Sequence, residues 1–169
     1  STFLRKVRFK NKDYIVFHGG ASDENRNICF DCSKSALAKI LKNKNVVIVK
    51  DSSYDYEIFY DFFRMNSIET FIFSGNLNDV RAIIGLSKIF IGADSGLIHL
   101  ANSLKVKCVG FYLNKKQISK WKSPNPNCDF YTNYLHRKNC SSLALERKFY
   151  NFNSKLSEDA MIKELAKKI

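Results

Sequence analysis

The apolar positions of this chain fall into short unbroken runs that alternate with longer stretches of helical spacing. Tyr14-Ile15-Val16-Phe17-His18 is such a run, and it stops at Gly19-Gly20, as a parallel strand buried on both faces would. A polar loop follows. From residue 33 to 42 the apolar residues Ala36, Leu37, Ile40 and Leu41 then recur on one helical face. The alternation continues, predicting strands over 46–50, 70–74, 88–92 and 106–111 and helices over 54–65, 77–86 and 95–104. Strands alternating with helices of about ten residues make βαβ units. Because crossovers are right-handed, the expected fold is α/β, a Rossmann-like doubly wound parallel sheet with helices on both faces. Such a sheet binds its ligand beyond the carboxyl ends of the strands, near the point where strand order reverses. The loops that follow strands are therefore where chemistry is expected.

The rhythm weakens after Phe111. Residues 105–122 hold six lysines and no acid, Ser123-Pro124-Asn125-Pro126-Asn127 is rich in turn formers, and residues 128–153 carry no clear period. The tail is plainer. Ser157 suits an N-cap for a helix over about 157–168, with Glu158 and Asp159 in its first turn and Lys167 and Lys168 at its end. Ile162, Leu165, Ala166 and Ile169 form its apolar stripe. At the other end, residues 1–12 carry five basic residues and no acid, and read as a basic linker or edge strand ahead of one domain over 13–169.

Composition narrows the classes. A chain of 169 residues suffices for one domain with a substantial core, and 45% apolar with 26% charged residues is ordinary for a globular protein. The formal net charge of +12 favours anionic partners (nucleotides, phosphorylated glycans, nucleic acid or a membrane surface) without choosing among them. No apolar run approaches the roughly 20 residues that span a bilayer, and the first residues have no stretch of signal-peptide length. Five scattered cysteines, an odd number, fit a reduced cytoplasmic protein.

The segment richest in chemistry is Ile91-Gly92-Ala93-Asp94-Ser95-Gly96-Leu97-Ile98-His99-Leu100-Ala101, where a strand gives way to a helix. The unpaired N–H groups of that helix start attract phosphate, and Gly96 lacks a side chain that would hold an anion away. His99 lies on the same helical face as Ser95 and Gly96 and leans toward the same mouth. Asp94 would repel phosphate, so its natural ligands are sugar hydroxyls. The loop His18-Gly19-Gly20-Ala21-Ser22-Asp23-Glu24-Asn25-Arg26 closes another strand, and Arg26 offers a planar fork for phosphate oxygens.

Asp-Ser-Gly-x-x-His after an apolar strand, followed by Leu-Ala-Asn-Ser-Leu-Lys-Val and a further strand, resembles the signature of family 9 glycosyltransferases, the lipopolysaccharide heptosyltransferases. Their usual motif is Asp-Thr-Gly-x-x-His-x-Ala-x-Ala-x-Gly. The first loop is similar to their His-x-Gly-Ala-Ser, with Arg26 where the family has Lys four residues after the Ser. The resemblance runs from about residue 14 to 111 and loosely through the final helix. It implies one half of a GT-B enzyme, inverting and metal-independent, whose C-terminal domain binds a nucleotide-diphosphate sugar as substrate with no cofactor. By match, Ser22 and Arg26 would hold the diphosphate with help from the backbone at Ser95 and Gly96. Asp94 and His99 would contact the sugar and its phosphate, and Glu57 the nucleoside.

ADP-heptose is the donor that the resemblance suggests, and a lipopolysaccharide or lipooligosaccharide core glycan the acceptor, which allows peripheral association with the inner face of the cytoplasmic membrane. Other nucleotide sugars, UDP-linked ones included, remain alternatives. The family's N-terminal half, which binds the acceptor and supplies a general base, has no counterpart before Tyr14. No catalytic residue is therefore expected in this chain, and the apolar stripe of the final helix suits packing against that missing half.

Other patterns carry less. Cys29-Phe30-Asp31-Cys32 has zinc-like spacing, but the remaining Cys and His are single and scattered. The α/β-hydrolase elbow needs Gly-x-Ser-x-Gly, and here the serine is one residue late. Neither the dinucleotide Gly-x-Gly-x-x-Gly nor a P-loop ending is present. Tyr112 and Trp121 among the lysines of 105–122 could stack bases, but with no recognised motif beside them nucleic acid is disfavoured as a partner.

Overall fold

In the computed structural model, which describes Phe9 and residues 13–52, 54–113, 116, 127–132, 148–151 and 154–169, the chain enters the sheet at β1 (Ile15–His18). It continues through α1 (Phe30–Leu41), β2 (Asn45–Val49), α2 (Glu57–Met65), β3 (Glu69–Phe73), α3 (Leu77–Leu86), β4 (Ile89–Ala93), α4 (Gly96–Ser103) and β5 (Cys108–Tyr112). Beyond these come β6 (Cys128–Thr132), β7 (Lys148–Asn151), β8 (Ser154–Ser157) and α5 (Glu158–Lys168). The strands lie in the order β3-β2-β1-β4-β5-β6-β7-β8, the first six parallel and the last two antiparallel. Order reverses between β1 and β4, which makes their carboxyl ends the switch point.

The sheet is doubly wound, as the sequence predicts. Every residue of β1, β4 and β5 is buried, because both faces are covered. Ile15 and Phe17 of β1, with Val46 and Ile48 of β2, meet the core beneath α1 and α2. Tyr14 and Val16, with Val47 and Val49, meet the opposite core beneath α3 and α4. The Tyr14 hydroxyl also donates to the Ile83 carbonyl at 2.7 Å, so this aromatic ring is fixed at both ends.

Two expectations are corrected, and a stretch left open by the sequence is filled. Helix α1 starts at Phe30 rather than residue 33, and the Phe30 ring stands edge-on to Phe59 and Phe62 at 5.2 and 5.4 Å. Within the stretch that carries no clear period, β6 continues the sheet in parallel, and the β7–β8 hairpin closes that side. The final helix packs within its own domain. Met161, Ile162, Leu165 and Ile169 are buried with Ala36, Leu37 and Ile40 of α1, whereas Ala166 is exposed. Lys168 reaches Asp129 at 2.8 Å and Glu164 at 2.9 Å, and Tyr131 donates to Glu164 at 3.2 Å, which ties α5 to β6. Ser157 caps α5 as expected, accepting from the Ala160 N–H at 3.2 Å.

Residues 1–12 apart from Phe9, and Trp121 with most of its neighbouring lysines, lie outside the described residues, so the readings of a basic linker and of a base-stacking patch rest on sequence. Among the described residues no helix is long and apolar enough to cross a membrane. If α5 completes the core, Leu165→Ala should cost about 2–5 kcal/mol in urea denaturation. Leu77→Ala, at a side chain 67% exposed, should stay within about 0.5 kcal/mol.

Candidate functional site at the sheet's switch point

The loops that leave β1 and β4 meet at the switch point, and one arginine joins them. After β1, Asp23 caps a 3-10 turn over Glu24–Arg26, its carboxylate accepting from the Asn25 N–H at 2.9 Å. The Asn27 side chain accepts from the Ala21 N–H at 2.7 Å, and the Ile28 N–H returns to the Gly19 carbonyl at 2.8 Å. This closed loop throws Arg26 across to β4. Its Nη1 donates to the Asp94 carbonyl at 3.1 Å and to Asp94 Oδ2 at 3.3 Å, while Nη2 donates to Ser22 Oγ at 2.6 Å.

Asp94 is only 2% exposed, and a carboxylate so far from water needs a cation. Arg26, 23% exposed, supplies it from one side, and His99 Nε2 faces the other carboxylate oxygen at 3.8 Å. Ser95 is the N-cap residue of α4, yet its hydroxyl makes no capping bond and is buried with no partner. The first N–H groups of α4 therefore have no side-chain acceptor from their own cap. Gly96 follows in the open, with nothing within 4 Å of where a Cβ would stand. Ser22, Arg26, Asp94, Ser95, Gly96 and His99 are thus brought together, from two loops far apart in sequence. The chemistry of the set is mixed: a forked cation and the N–H donors of a helix start suit phosphate oxygens, and a carboxylate beside an imidazole suits hydroxyl groups.

Glu57 stands apart from this group. It opens α2, beyond β2, and its carboxylate is paired with Lys50, which holds it below the usual carboxylate range.

The sequence reading missed a buried cluster beneath the loop. His18 is 2% exposed, and its Nδ1 lies 2.9 Å from both the Val49 carbonyl and the Tyr56 hydroxyl. The carbonyl accepts only, so Nδ1 carries the proton by assignment from its partners. The Tyr56 hydroxyl also accepts from the Gly20 N–H at 3.2 Å and donates to Asp51. One hydroxyl thereby uses both its acceptor sites and its donor to fix the loop. The one signal available in sequence was the position of His18 at a strand end.

Of the described cysteines, Cys29, Cys108 and Cys128 are free and Cys32 is disulfide-bonded, which corrects the expectation of a wholly reduced chain. Count and spacing say nothing about which thiols the fold brings into contact.

Two outcomes test this geometry. Removing Arg26 leaves Asp94 buried and without its main cation, so Arg26→Met should destabilise by about 2–4 kcal/mol, and adding Asp94→Asn should recover much of the loss in a double-mutant cycle. Burial holds the His18 pKa below the usual imidazole value of 6.5. The unfolded chain then takes up a proton that the folded chain refuses, so stability should fall as pH drops through about 6.5 toward the folded value. His18→Gln should flatten that slope in urea titrations between pH 7.5 and 5.5.

Residues 3–153 match glycosyltransferase family 9 (heptosyltransferase). No curated protein matches the sequence significantly. Solved structures do share the fold. The E. coli heptosyltransferase WaaC with ADP superposes with a TM-score of 0.68 at 12% identity, covering 99% of this chain and 48% of that one. A family 9 glycosyl transferase from Veillonella parvula DSM 2008 gives 0.66 at 16% identity, over 99% and 50%. The E. coli ADP-heptose lps heptosyltransferase II gives 0.64 at 12%, over 99% and 50%. The chain thus spans about half the length of these solved relatives. With a doubly wound domain and a match over most of its length, this chain belongs to glycosyltransferase family 9, the heptosyltransferases.

Proposed function

We propose that this chain is the donor-binding half of a family 9 glycosyltransferase, holding a nucleotide-diphosphate sugar at the switch point. The observation that carries this reading is the junction of the β1 and β4 loops through Arg26 and Asp94, beside the open start of α4. Arg26, with Ser22, takes the diphosphate, and the N–H groups of Ser95 and Gly96 take its remaining oxygens. Asp94 and His99 contact the sugar and its phosphate, and Glu57, by match to the family, contacts the nucleoside. ADP-heptose is the favoured donor, since E. coli WaaC has been solved with ADP and with ADP-2-deoxy-2-fluoro heptose. Another nucleotide sugar in the same cradle is the alternative.

The chemistry follows from where charge develops. As the sugar–phosphate bond breaks, negative charge gathers on the leaving diphosphate, and Arg26 with the α4 N–H groups stabilises it. These fixed positive groups do the work that a metal does in other transferases. The acceptor attacks the opposite face of the sugar, so the anomeric centre inverts. A core glycan of lipopolysaccharide or lipooligosaccharide fits as acceptor, reached at the inner face of the cytoplasmic membrane. It and the general base belong to the half of the enzyme that this chain does not span, and the chain alone should transfer nothing.

Calorimetric titration with ADP-heptose, ADP, UDP and a short oligonucleotide tests the proposal. ADP compounds should bind at one site, and Arg26→Ala or Asp94→Ala should weaken them by about 30-fold or more. Preference for UDP would keep the cradle and discard heptose. Silence toward every nucleotide, with salt-sensitive oligonucleotide binding, would overturn the reading.

A further inference from the structure

We propose that Cys108 and Cys128 form a two-cysteine redox centre that exchanges with low-molecular-weight disulfides such as oxidised glutathione, Cys128 attacking and Cys108 resolving. The two residues open β5 and β6, at the end of the sheet opposite the donor crevice, so the centre does not rest on the donor reading.

The fold brings the two sulfurs together. β5 and β6 run parallel, and Cys108 is the direct partner of Cys128. Neighbouring strands stand about 4.8 Å apart, within the roughly 4.4–6.8 Å between Cα atoms that a disulfide spans. Paired residues of parallel strands share a face, and both cysteines here meet the core beneath α3 and α4. Both are free thiols, and their sulfurs are already in hydrogen-bond contact.

The two thiols are not equivalent. Cys108 is fully buried, whereas Cys128 is half-buried. The Cys108 proton has two acceptors in reach, the Val106 carbonyl at 3.1 Å and the Cys128 sulfur. Turned to the sulfur, it favours a thiolate on Cys128 and holds that thiol below the usual cysteine range. The same bond, with burial, pushes Cys108 up. An accessible cysteine of lowered pKa beside a buried partner reacts from outside and is resolved from within. Among the described residues no group of three His, Cys, Asp or Glu is placed to hold a metal ion, so the pair lacks the further ligands of a thiolate metal site.

The exchange balances in two steps. The Cys128 thiolate attacks one sulfur of the small disulfide, forming a mixed disulfide and expelling one thiolate. Cys108 then gives up its proton and attacks the Cys128 sulfur, expelling the second. Two protein thiols are oxidised to one disulfide, and the small disulfide is reduced to two thiols that take up the two protons. The product staples β5 to β6, the strand whose Asp129 and Tyr131 hold α5.

Peptide mass spectrometry of the whole chain, equilibrated with oxidised glutathione and then alkylated, tests the assignment. The peptides carrying Cys108 and Cys128 should appear linked, and dithiothreitol should separate them. In Cys108→Ala glutathione should remain on Cys128, and in Cys128→Ala the buried Cys108 should stay unmodified. The pH midpoint for alkylation of Cys128 by iodoacetamide should rise by roughly half a unit or more in Cys108→Ala, because the thiol that favours its charged form is gone. A midpoint that stays where it is overturns the roles given to the two thiols. A wild-type map with glutathione retained on Cys128, with either cysteine linked elsewhere, or with neither oxidised overturns the centre itself. That map needs no substitution, so it decides the matter even if a variant fails to fold.

Discussion

Everything at the carboxyl edge of this sheet depends on how closely β1 and β4 approach one another. A Cβ at Gly92 would stand 2.6 Å from the His18 carbonyl oxygen, so no larger residue fits there without moving backbone. That contact fixes the ends of two strands whose chains then depart in opposite directions, β1 toward β2 and β4 toward β5. A crevice opens between the departing loops, and it owes nothing to the identity of the loop residues. What the loops add is chemistry, supplied by Arg26 from one side and Asp94 from the other.

The Arg26–Asp94 pair is poorly explained as a device for stability. Taking a carboxylate out of water costs several kcal/mol, and a single arginine at 3.3 Å recovers that cost only in part. An apolar pair of similar volume would serve the fold as well. The arrangement makes better sense as a charged group kept ordered at a chosen place. The neighbouring Ser95 hydroxyl, buried and unpartnered at the head of α4, points the same way. A domain assembled for stability alone would have used that serine as its cap.

Sequence reading fared best where one physical rule acted alone. The strands from β1 to β5 were legible because burial on both faces leaves unbroken apolar runs, and α3 was read with its true bounds because Asn76 caps it in the ordinary way. Helix ends were harder. Three left-handed residues, Asn43, Ser67 and Lys105, sit just past the ends of α1, α2 and α4, where glycine would have been the expected marker. The hairpin of β7 and β8 was not legible because residues 128–153 carry no clear period. At the site, the β4 loop was legible through the spacing of Asp94, Gly96 and His99. The His18–Tyr56–Asp51 cluster was not, since its members come from three segments and only the pairing of β1 with β2 brings them together. The inward packing of α5 was misread for a related reason: an apolar stripe states that a face is covered and not what covers it.

The partners of Arg26 also say what binding a diphosphate there must involve. The guanidinium already donates to Ser22, to the Asp94 carbonyl and to the Asp94 carboxylate, so a phosphate takes a share of a group in use. The neutral bond to Ser22 is the cheapest to give up, on the order of 1 kcal/mol, whereas a phosphate offers a charge-assisted, two-pronged bond in return. The bond to the Asp94 carboxylate is costlier, because losing it would strand a buried charge. The ligand should therefore approach from the Ser22 side and leave the Arg26–Asp94 contact in place. His99, facing the far carboxylate oxygen at 3.8 Å, then stands beyond Asp94 from the diphosphate. On that reasoning the line from Ser22 through Arg26 and Asp94 to His99 is a polarity axis, anion-seeking at one end and hydroxyl-seeking at the other. A nucleotide sugar has the same asymmetry, so the donor proposed for this site would meet the axis in one orientation, its diphosphate toward Ser22 and its sugar toward His99.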